Sequence, residues 1–159
     1  MSQGDQSGQE LQQLSQQLQA LDQVENELQT QLQAVQTRKG EMGEALEALG
    51  ELETDSVVQV PLGGDAYVRA RIEDIEEVIV SIGSDFAAEQ SREAAQQTLN
   101  EQVGRLDEAI DELEASLEDV QEDLQELEQR AQQYRQQMAQ AQQAQGQLPG
   151  SGGMDLGGS

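Results

Sequence analysis

The sequence has neither cysteine nor histidine among its 159 residues. Without cysteine, neither a disulfide framework nor a thiolate metal site can form. A hydrolytic site without His or Cys would need a Ser–Lys pair, but the single lysine, Lys39, lies within a heptad pattern and outside any Gly-x-Ser-x-Gly motif. We therefore expect no enzymatic activity, no metal site and no cofactor.

Long apolar runs and aromatic side chains are also missing. Only 35% of the residues are hydrophobic and 2% are aromatic, which is little for a globular core. No stretch approaches the ~20 apolar residues that span a bilayer, and the polar start MSQGDQSGQE lacks the pattern of a signal peptide. We expect a soluble, cytoplasmic protein built from long helices.

Basic residues are scarce, with 8 Lys and Arg against 32 Asp and Glu and a net charge of −24. Such a chain repels nucleic acids and anionic membranes, so neither is an expected partner. The acidic residues are spread along the chain, which favours a halophilic protein from a high-salt cytoplasm, where screening weakens self-repulsion. An ordinary acidic coiled coil is the alternative.

Leu and other apolar residues recur three or four positions apart in two segments, residues 9–53 and 91–145. This spacing predicts two long coiled-coil helices, with Glu25 and Lys39 as polar interruptions of the first. The predicted core positions are Leu11, Leu14, Leu18, Leu21, Leu28, Leu32, Val35, Met42, Leu46 and Leu49, then Leu99, Val103, Leu106, Ile110, Leu113, Leu117, Val120, Leu124, Leu127, Ala131, Tyr134, Met138 and Ala141.

The two helices have similar lengths and are joined by about 40 residues, so we expect an antiparallel pair in which the numbers of facing residues add to about 145. Gly40 and Gly43 would then lie near Gly104. Glycine inside a helix costs up to ~1 kcal/mol relative to alanine. These glycines indicate a flexible joint, a close approach of the two backbones, or plain tolerance of glycine.

Between the helices, residues 56–90 alternate apolar and polar side chains with a period of two. Turns at Gly63-Gly64-Asp65 and Gly83-Ser84-Asp85 divide them into two predicted β-hairpins. Isolated hairpins are marginal in water, so the missing sheet partners must come from other chains. The predicted subunit-assembly residues are Val58, Val60, Leu62, Val68, Ala70, Ile72, Val80, Ile82 and Phe86.

Two further patterns have structural explanations. The acidic string DEAIDELEASLEDVQED lacks the central glycine of a calcium loop, and a solvated helix face accounts for it. Gly63-Gly64 is followed by neither the Lys-Ser/Thr of a P-loop nor the Gly-x-Gly-x-x-Gly pattern, so it indicates a turn and not a phosphate site.

The segments VPLGGDAYVRARI and EEVIVSIGSDFAAEQS, set between two helices, resemble the α-type subunits of the prefoldin family. The resemblance implies an α+β fold in which a long antiparallel two-helix coiled coil carries two central β-hairpins that join an intersubunit β-barrel. The sequence pattern divides the chain into a flexible N-terminus at residues 1–8, one domain at residues 9–145, and a Gly-rich tail at residues 146–159 that we expect to be disordered.

The same resemblance implies an ATP-independent chaperone, a heterohexamer of two α-type and four β-type subunits. It would capture unfolded proteins at the coiled-coil tips and deliver them to a group II chaperonin. Side chains near the free helix ends could open to offer apolar surface to clients, and the alternative is that they simply close the coiled coil. A structural scaffold that oligomerises through its hairpins is the alternative function. The candidate client-binding residues are Leu11, Leu14, Leu18, Tyr134 and Met138.

Overall fold

A computed structural model describes the backbone of residues 3–152 and the side chains of residue 6 and residues 8–143. Two long helices enclose two β-hairpins in the sequence, as predicted. The elements in chain order are α1 (Gln3–Glu51), β1 (Val57–Gly63), β2 (Ala66–Arg71), β3 (Val78–Gly83), β4 (Phe86–Gln90) and α2 (Arg92–Gly152).

Both helices are longer than predicted. α1 begins at Gln3 and α2 continues to Gly152, beyond the predicted outer limits of residues 9 and 145, although the added residues are rich in glycine, a poor helix former. Residues 146–152 of the predicted tail therefore belong to α2, and residues 153–159 lie outside the described residues. Within the described part of the chain, neither helix is apolar enough to cross a membrane.

Each hairpin closes with a two-residue turn that needs positive φ angles. Gly64 and Asp65 have φ angles of 57° and 64°, and Ser84 and Asp85 have φ angles of 30° and 61°. Two consecutive positive φ angles are the signature of the type I′ turn, whose twist matches that of paired strands. The register also shifts by one residue before each turn, between Pro61 and Gly63 and between Ser81 and Gly83. Each first strand thus ends in a β-bulge.

The chain forms two compact units. One is residues 32–112, with both hairpins and the adjoining parts of the helices, and the other combines the part of α1 up to Gln31 with the part of α2 from Leu113 onward. In the first, Lys39 Nζ lies 2.5 Å from Asp107 Oδ1, and these numbers add to 146. In the second, the Tyr134 phenol lies beside the Glu10 carboxylate, and these add to 144. Both pairs fit the predicted antiparallel register.

The predicted heptad positions are the ones protected from solvent. Every predicted core position of α1 is buried or half-buried, including Glu25 and Lys39, while every other side chain between Gln9 and Glu51 is exposed. In α2 the predicted positions from Leu99 to Met138 are likewise protected. Ala141 is exposed, so its assignment to the core is wrong. The described core is narrow and made mainly of leucine.

The helix glycines have open space around them. A Cβ placed on Gly40, Gly43 or Gly104 meets no atom within 4 Å, so the interpretation as a close backbone approach is wrong. Tolerance of glycine explains the positions, and the flexible joint stays a prediction.

Replacing Gly40, Gly43 and Gly104 together with alanine is expected to stabilise the chain, because each change removes backbone entropy from the unfolded state without a clash. At ~0.5–1 kcal/mol each, the gain is about 2 kcal/mol, measurable as a higher thermal midpoint in molar salt. Gly63→Ala is the matched control, since its φ of 102° makes that change destabilising. A triple variant that melts no higher than the original chain would contradict this explanation.

Candidate assembly site

The first hairpin exposes an apolar face. Val58 lies opposite Ala70 and Val60 opposite Val68, and directly opposite residues share a face of the sheet. Val60 and Val68 are exposed, while Val58 and Ala70 are half-buried. We call this surface, together with Leu62 at the bulge and Ile72 after β2, the assembly face. Exposing these valines to solvent is unfavourable, and pairing with another chain would bury them. An exposed apolar patch of this kind is typical of a protein-binding surface.

The second hairpin uses its equivalent face within its own unit. Val80 is only 6% exposed, and its neighbours on that face, Val78 and Ala88, are half-buried. The predicted assembly residue Val80 is therefore already covered in the isolated chain. Ile82 and Phe86, beside the turn, remain exposed as free apolar side chains.

Ile79 is an exposed apolar residue of the second hairpin that the sequence pattern did not identify as an assembly candidate. It lies on the opposite face of β3 from Val80 and is 76% exposed. The signal was present in the unbroken apolar run Val78–Val80, because a strand that is covered on both faces carries apolar residues without alternation.

A groove of about 390 Å³ lies between part of β3 and the helices of the same unit. Gln102 Nε2 donates a hydrogen bond across this region to the carbonyl oxygen of Ser81, at 3.3 Å. The hairpin is thus attached to α2 by a polar contact beside apolar walls. The groove is lined by Arg38, Met42, Ala45, Ala48, Leu49, Leu52, Val78, Ile79, Val80, Ser81, Leu99 and Gln102.

Arg92, the first residue of α2, connects the hairpin insert to the end of α1. Its Nη2 donates to the carbonyl oxygen of Leu52 at 2.6 Å and lies 3.5 Å from Glu53 Oε2. A guanidinium at a helix C-terminus satisfies a free carbonyl and interacts favourably with the helix dipole. The Glu53 side chain is largely exposed, so the bond to Leu52 is the stronger contribution.

Short polar side chains fix the links between helices and hairpins. Ser91 Oγ accepts a hydrogen bond from the backbone N–H of Ala94, at 3.2 Å, and so caps the N-terminus of α2. Thr54 Oγ1 accepts one from the N–H of Ile75, at 3.1 Å. Ile75, between the hairpins, is buried. These contacts hold the insert in a defined position at the end of its helices.

Arg92→Met is expected to destabilise the chain by about 2 kcal/mol, because it leaves the Leu52 carbonyl without its charged donor. The measurement is the thermal midpoint in molar salt, with Arg105→Met as the control, since Arg105 is exposed and makes no ion pair among the described residues. Equal midpoints for the two variants would show that Arg92 does not stabilise this junction.

The candidate client residues all lie in the unit that combines the part of α1 up to Gln31 with the part of α2 from Leu113 onward. Leu14 is buried, and Leu11, Leu18, Tyr134 and Met138 are half-buried. The phenol of Tyr134 donates a hydrogen bond to the Glu10 carboxylate, which raises the pKa of Tyr134 above its ordinary value. In this conformation the five side chains close the helix pair and offer little apolar surface.

Comparisons with known proteins agree with this architecture. The family described as "Prefoldin subunit" matches residues 8–144. The chain is 58% identical over 62 residues to the prefoldin subunit alpha of Halobacterium salinarum, a match that covers 39% of this chain and 40% of that protein. It is 36% identical over 92 residues to that of Thermofilum pendens, covering 56% of this chain and 71% of that protein. The match thus spans about 40% of the length of the first relatives.

A crystal structure of the prefoldin beta subunit from Thermococcus strain KS-1 has the same fold. The TM-score is 0.55 with 22% sequence identity, over 78% of this chain and 90% of that one. Several α-subunit relatives come from halophilic archaea, including Halobacterium salinarum and Haloarcula marismortui, which confirms the expectation drawn from the acidic composition. By the match over residues 8–144 and the shared fold, the chain belongs to the prefoldin family.

Proposed function

We propose that this chain is the α-type subunit of a cytoplasmic, ATP-independent holdase chaperone. Two copies assemble with four β-type subunits through the hairpins, and the complex captures unfolded proteins between its coiled-coil tips. It then passes them to a group II chaperonin. No nucleotide or catalytic chemistry takes part, in line with the absence of such motifs from the sequence.

One observation supports the assembly part of this proposal. The first hairpin of this chain, which belongs to the prefoldin family, exposes an apolar face. A two-stranded sheet is too small to be stable on its own, and burying a valine side chain stabilises a complex by about 1.5–3 kcal/mol. Pairing with other subunits covers Val60 and Val68, which the helices of their own unit leave exposed. Ile82 and Phe86 extend the apolar surface beside the second turn.

Client capture is proposed at the helix ends. The residues that close the helix pair there are leucines, a tyrosine and a methionine, and transient separation of the helices would offer them to an unfolded chain. Helix ends open at lower free-energy cost than helix centres, and methionine adapts to varied apolar partners. The closed conformation limits self-association until a client is present.

The first test is the mass of this chain in molar salt, alone and mixed with its β-type partner, by light scattering after size exclusion. The proposal expects a complex with two copies of this chain and four of the partner. A chain that stays a monomer or simple dimer in both samples would contradict it.

The second test separates a chaperone from a structural scaffold. The complex is added to an unfolded test protein on dilution from denaturant, and turbidity is followed over time. A holdase suppresses the aggregation at stoichiometric amounts without ATP. A scaffold that uses the hairpins only to oligomerise would form the same complex and leave the turbidity unchanged.

A further inference from the structure

The reverse side of the first hairpin carries positive charge in an otherwise acidic chain. The register places Gln59 opposite Arg69 and Val57 opposite Arg71, so these side chains share one face of the sheet and point away from the assembly face. All are exposed. We call this surface the basic face. It consists of Val57, Gln59, Pro61, Tyr67, Arg69 and Arg71.

The two arginines of the basic face are free of carboxylate partners. They are two of the 8 basic residues in the chain, and the only carboxylate between residues 57 and 71 belongs to Asp65, in the turn. In the part of the chain that the structure describes, ion pairs are made by Lys39, Arg92 and Arg130 and not by Arg69 or Arg71. The face therefore presents two unpaired guanidinium groups side by side.

The other side chains of the basic face are typical of a protein-binding surface. Tyr67 is 61% exposed and Val57 is 59% exposed, and Pro61 adds a rigid apolar contact. Tyrosine and arginine are enriched at the energetic centres of interfaces, where they combine a large contact area with directed polar groups.

The spacing of the arginines defines the partner. Residues two apart on a strand are separated by about 6.5–7 Å, and an extended acidic peptide with carboxylates at alternate positions has the same spacing. Each carboxylate can then accept two hydrogen bonds from one guanidinium. Nucleic acids and anionic membranes carry far more negative charge than a short acidic peptide, so the net charge of −24 repels them more strongly.

We propose that the basic face binds an acidic, extended segment of another protein, one with Asp or Glu at alternate residues. This activity goes beyond subunit assembly, since the assembly face on the other side of the hairpin stays available. It also suits high salt. The Debye length falls to about 3 Å at 1 M salt, so repulsion from the rest of the chain is screened while contact pairs of weakly hydrated arginine persist.

The test uses the full chain in molar KCl and two fluorescein-labelled peptides, Gly-Glu-Val-Glu-Val-Glu-Gly and its Gln counterpart, with binding followed by fluorescence anisotropy. The Glu peptide is expected to bind at least about tenfold more tightly than the Gln peptide, because only carboxylates form the charge-assisted pairs. R69Q/R71Q is expected to remove that preference. The control R105Q/R135Q makes the same change of net charge at exposed helix positions and should leave binding unchanged.

Several results would overturn the proposal. The first is equal binding of the two peptides to the unaltered chain. The second is equal loss in the two Gln variants, which would assign the effect to net charge alone. The third is self-association of the chain that R69Q/R71Q abolishes, which would assign the face to a second copy. R69K/R71K keeps the charge but not the two-pronged geometry, and unaltered affinity in that variant would contradict the paired arrangement.

Two control measurements distinguish a loss of peptide binding in R69Q/R71Q from a loss of folding or of subunit assembly. Helicity and thermal midpoint of R69Q/R71Q are expected to match those of the original chain, because both arginines are exposed and without ion pairs in the described structure. The mass of its complex with the β-type partner should also be unchanged. Loss of the complex in this variant would overturn the separation of the two faces.

Discussion

A chain carrying Val60→Asp and Val68→Asp is expected to elute alone when mixed with its β-type partner. The two positions are directly opposite on β1 and β2, so the variant puts two carboxylates at the centre of the assembly face. A charge that is buried without a partner costs about 3–5 kcal/mol, and every 1.4 kcal/mol is a factor of ten in affinity. Assembly should therefore weaken by at least about 100-fold. The measurement is mass by light scattering at micromolar concentration in molar salt.

The control for this experiment is Gln97→Asp with Asn100→Asp, which adds the same charge at two exposed positions on α2 of the same unit. This control should assemble normally. The Asp variant of the hairpin should keep its helicity when alone, because both valines are exposed in the isolated chain. Val60→Thr with Val68→Thr serves as a milder change, with an intermediate loss expected. Normal assembly of the Asp variant would show that partners do not use this face.

Dilution from molar salt to tens of millimolar is expected to unfold much of the helix pair. Eleven carboxylates and no basic residue lie between Asp107 and Glu128. Like charges four residues apart in a helix destabilise it by about 0.2–0.5 kcal/mol per pair, and lowering the salt lengthens the Debye length from about 3 Å at 1 M to about 30 Å at 0.01 M. The carboxylate pairs at this spacing are 107–111, 108–112, 114–118, 118–122, 119–123 and 122–126.

The structure offers few attractive pairs to offset this repulsion. Lys39–Asp107 joins the two helices at one end of the acidic segment, and Arg130–Glu126 lies within one helix at the other. The side chains of the first pair are about half exposed and those of the second more than half, so each pair contributes about 1 kcal/mol or less. Helicity followed by circular dichroism should fall on dilution, and the thermal midpoint should fall with it.

A variant tests whether the acidic segment is the cause of the salt requirement. Glu118→Gln, Asp119→Asn and Glu122→Gln together remove three exposed carboxylates from the segment and should reduce the loss at low salt. The matched control replaces Glu27, Glu41 and Glu44, which are exposed on α1, with Gln and should help less. Helicity and a midpoint that do not change between molar and millimolar salt would contradict the high-salt interpretation.

The heptad spacing predicted which helix residues are protected, because a helix has a fixed period and one apolar stripe. Even Glu25 and Lys39 are half-buried at their predicted positions. The assignment of Ala141 to the core was wrong, because a position in the heptad repeat does not show where the packed part of the helix pair ends. Alanine fits both a core position and an exposed helix face.

Hairpin strands and turns were equally accessible to prediction, because Gly-Gly-Asp and Gly-Ser-Asp satisfy the positive φ angles of a tight turn. The β-bulges before the turns could not be predicted. Alternation of apolar and polar residues treats Leu62 and Ile82 as regularly paired strand residues and does not show the register shift. Nor could alternation separate Val60 from Val80. Their burial differs because one hairpin packs on the helices of its own unit, which is a property of the tertiary structure.

The two hairpins are one module used twice. A step of 20 residues along the sequence takes Val60 to Val80, Leu62 to Ile82 and Asp65 to Asp85, and the turn geometry and register shift repeat with it. In one copy the central valine is 40% exposed, and in the other it is 6% exposed. The two hairpins therefore offer partners different surfaces, one with an open central valine pair and one with exposed apolar side chains only beside its turn and on its reverse face. Because the two contact surfaces differ, one repeating contact cannot add copies of this chain end to end without limit, which favours closed complexes of fixed size over indefinite polymers.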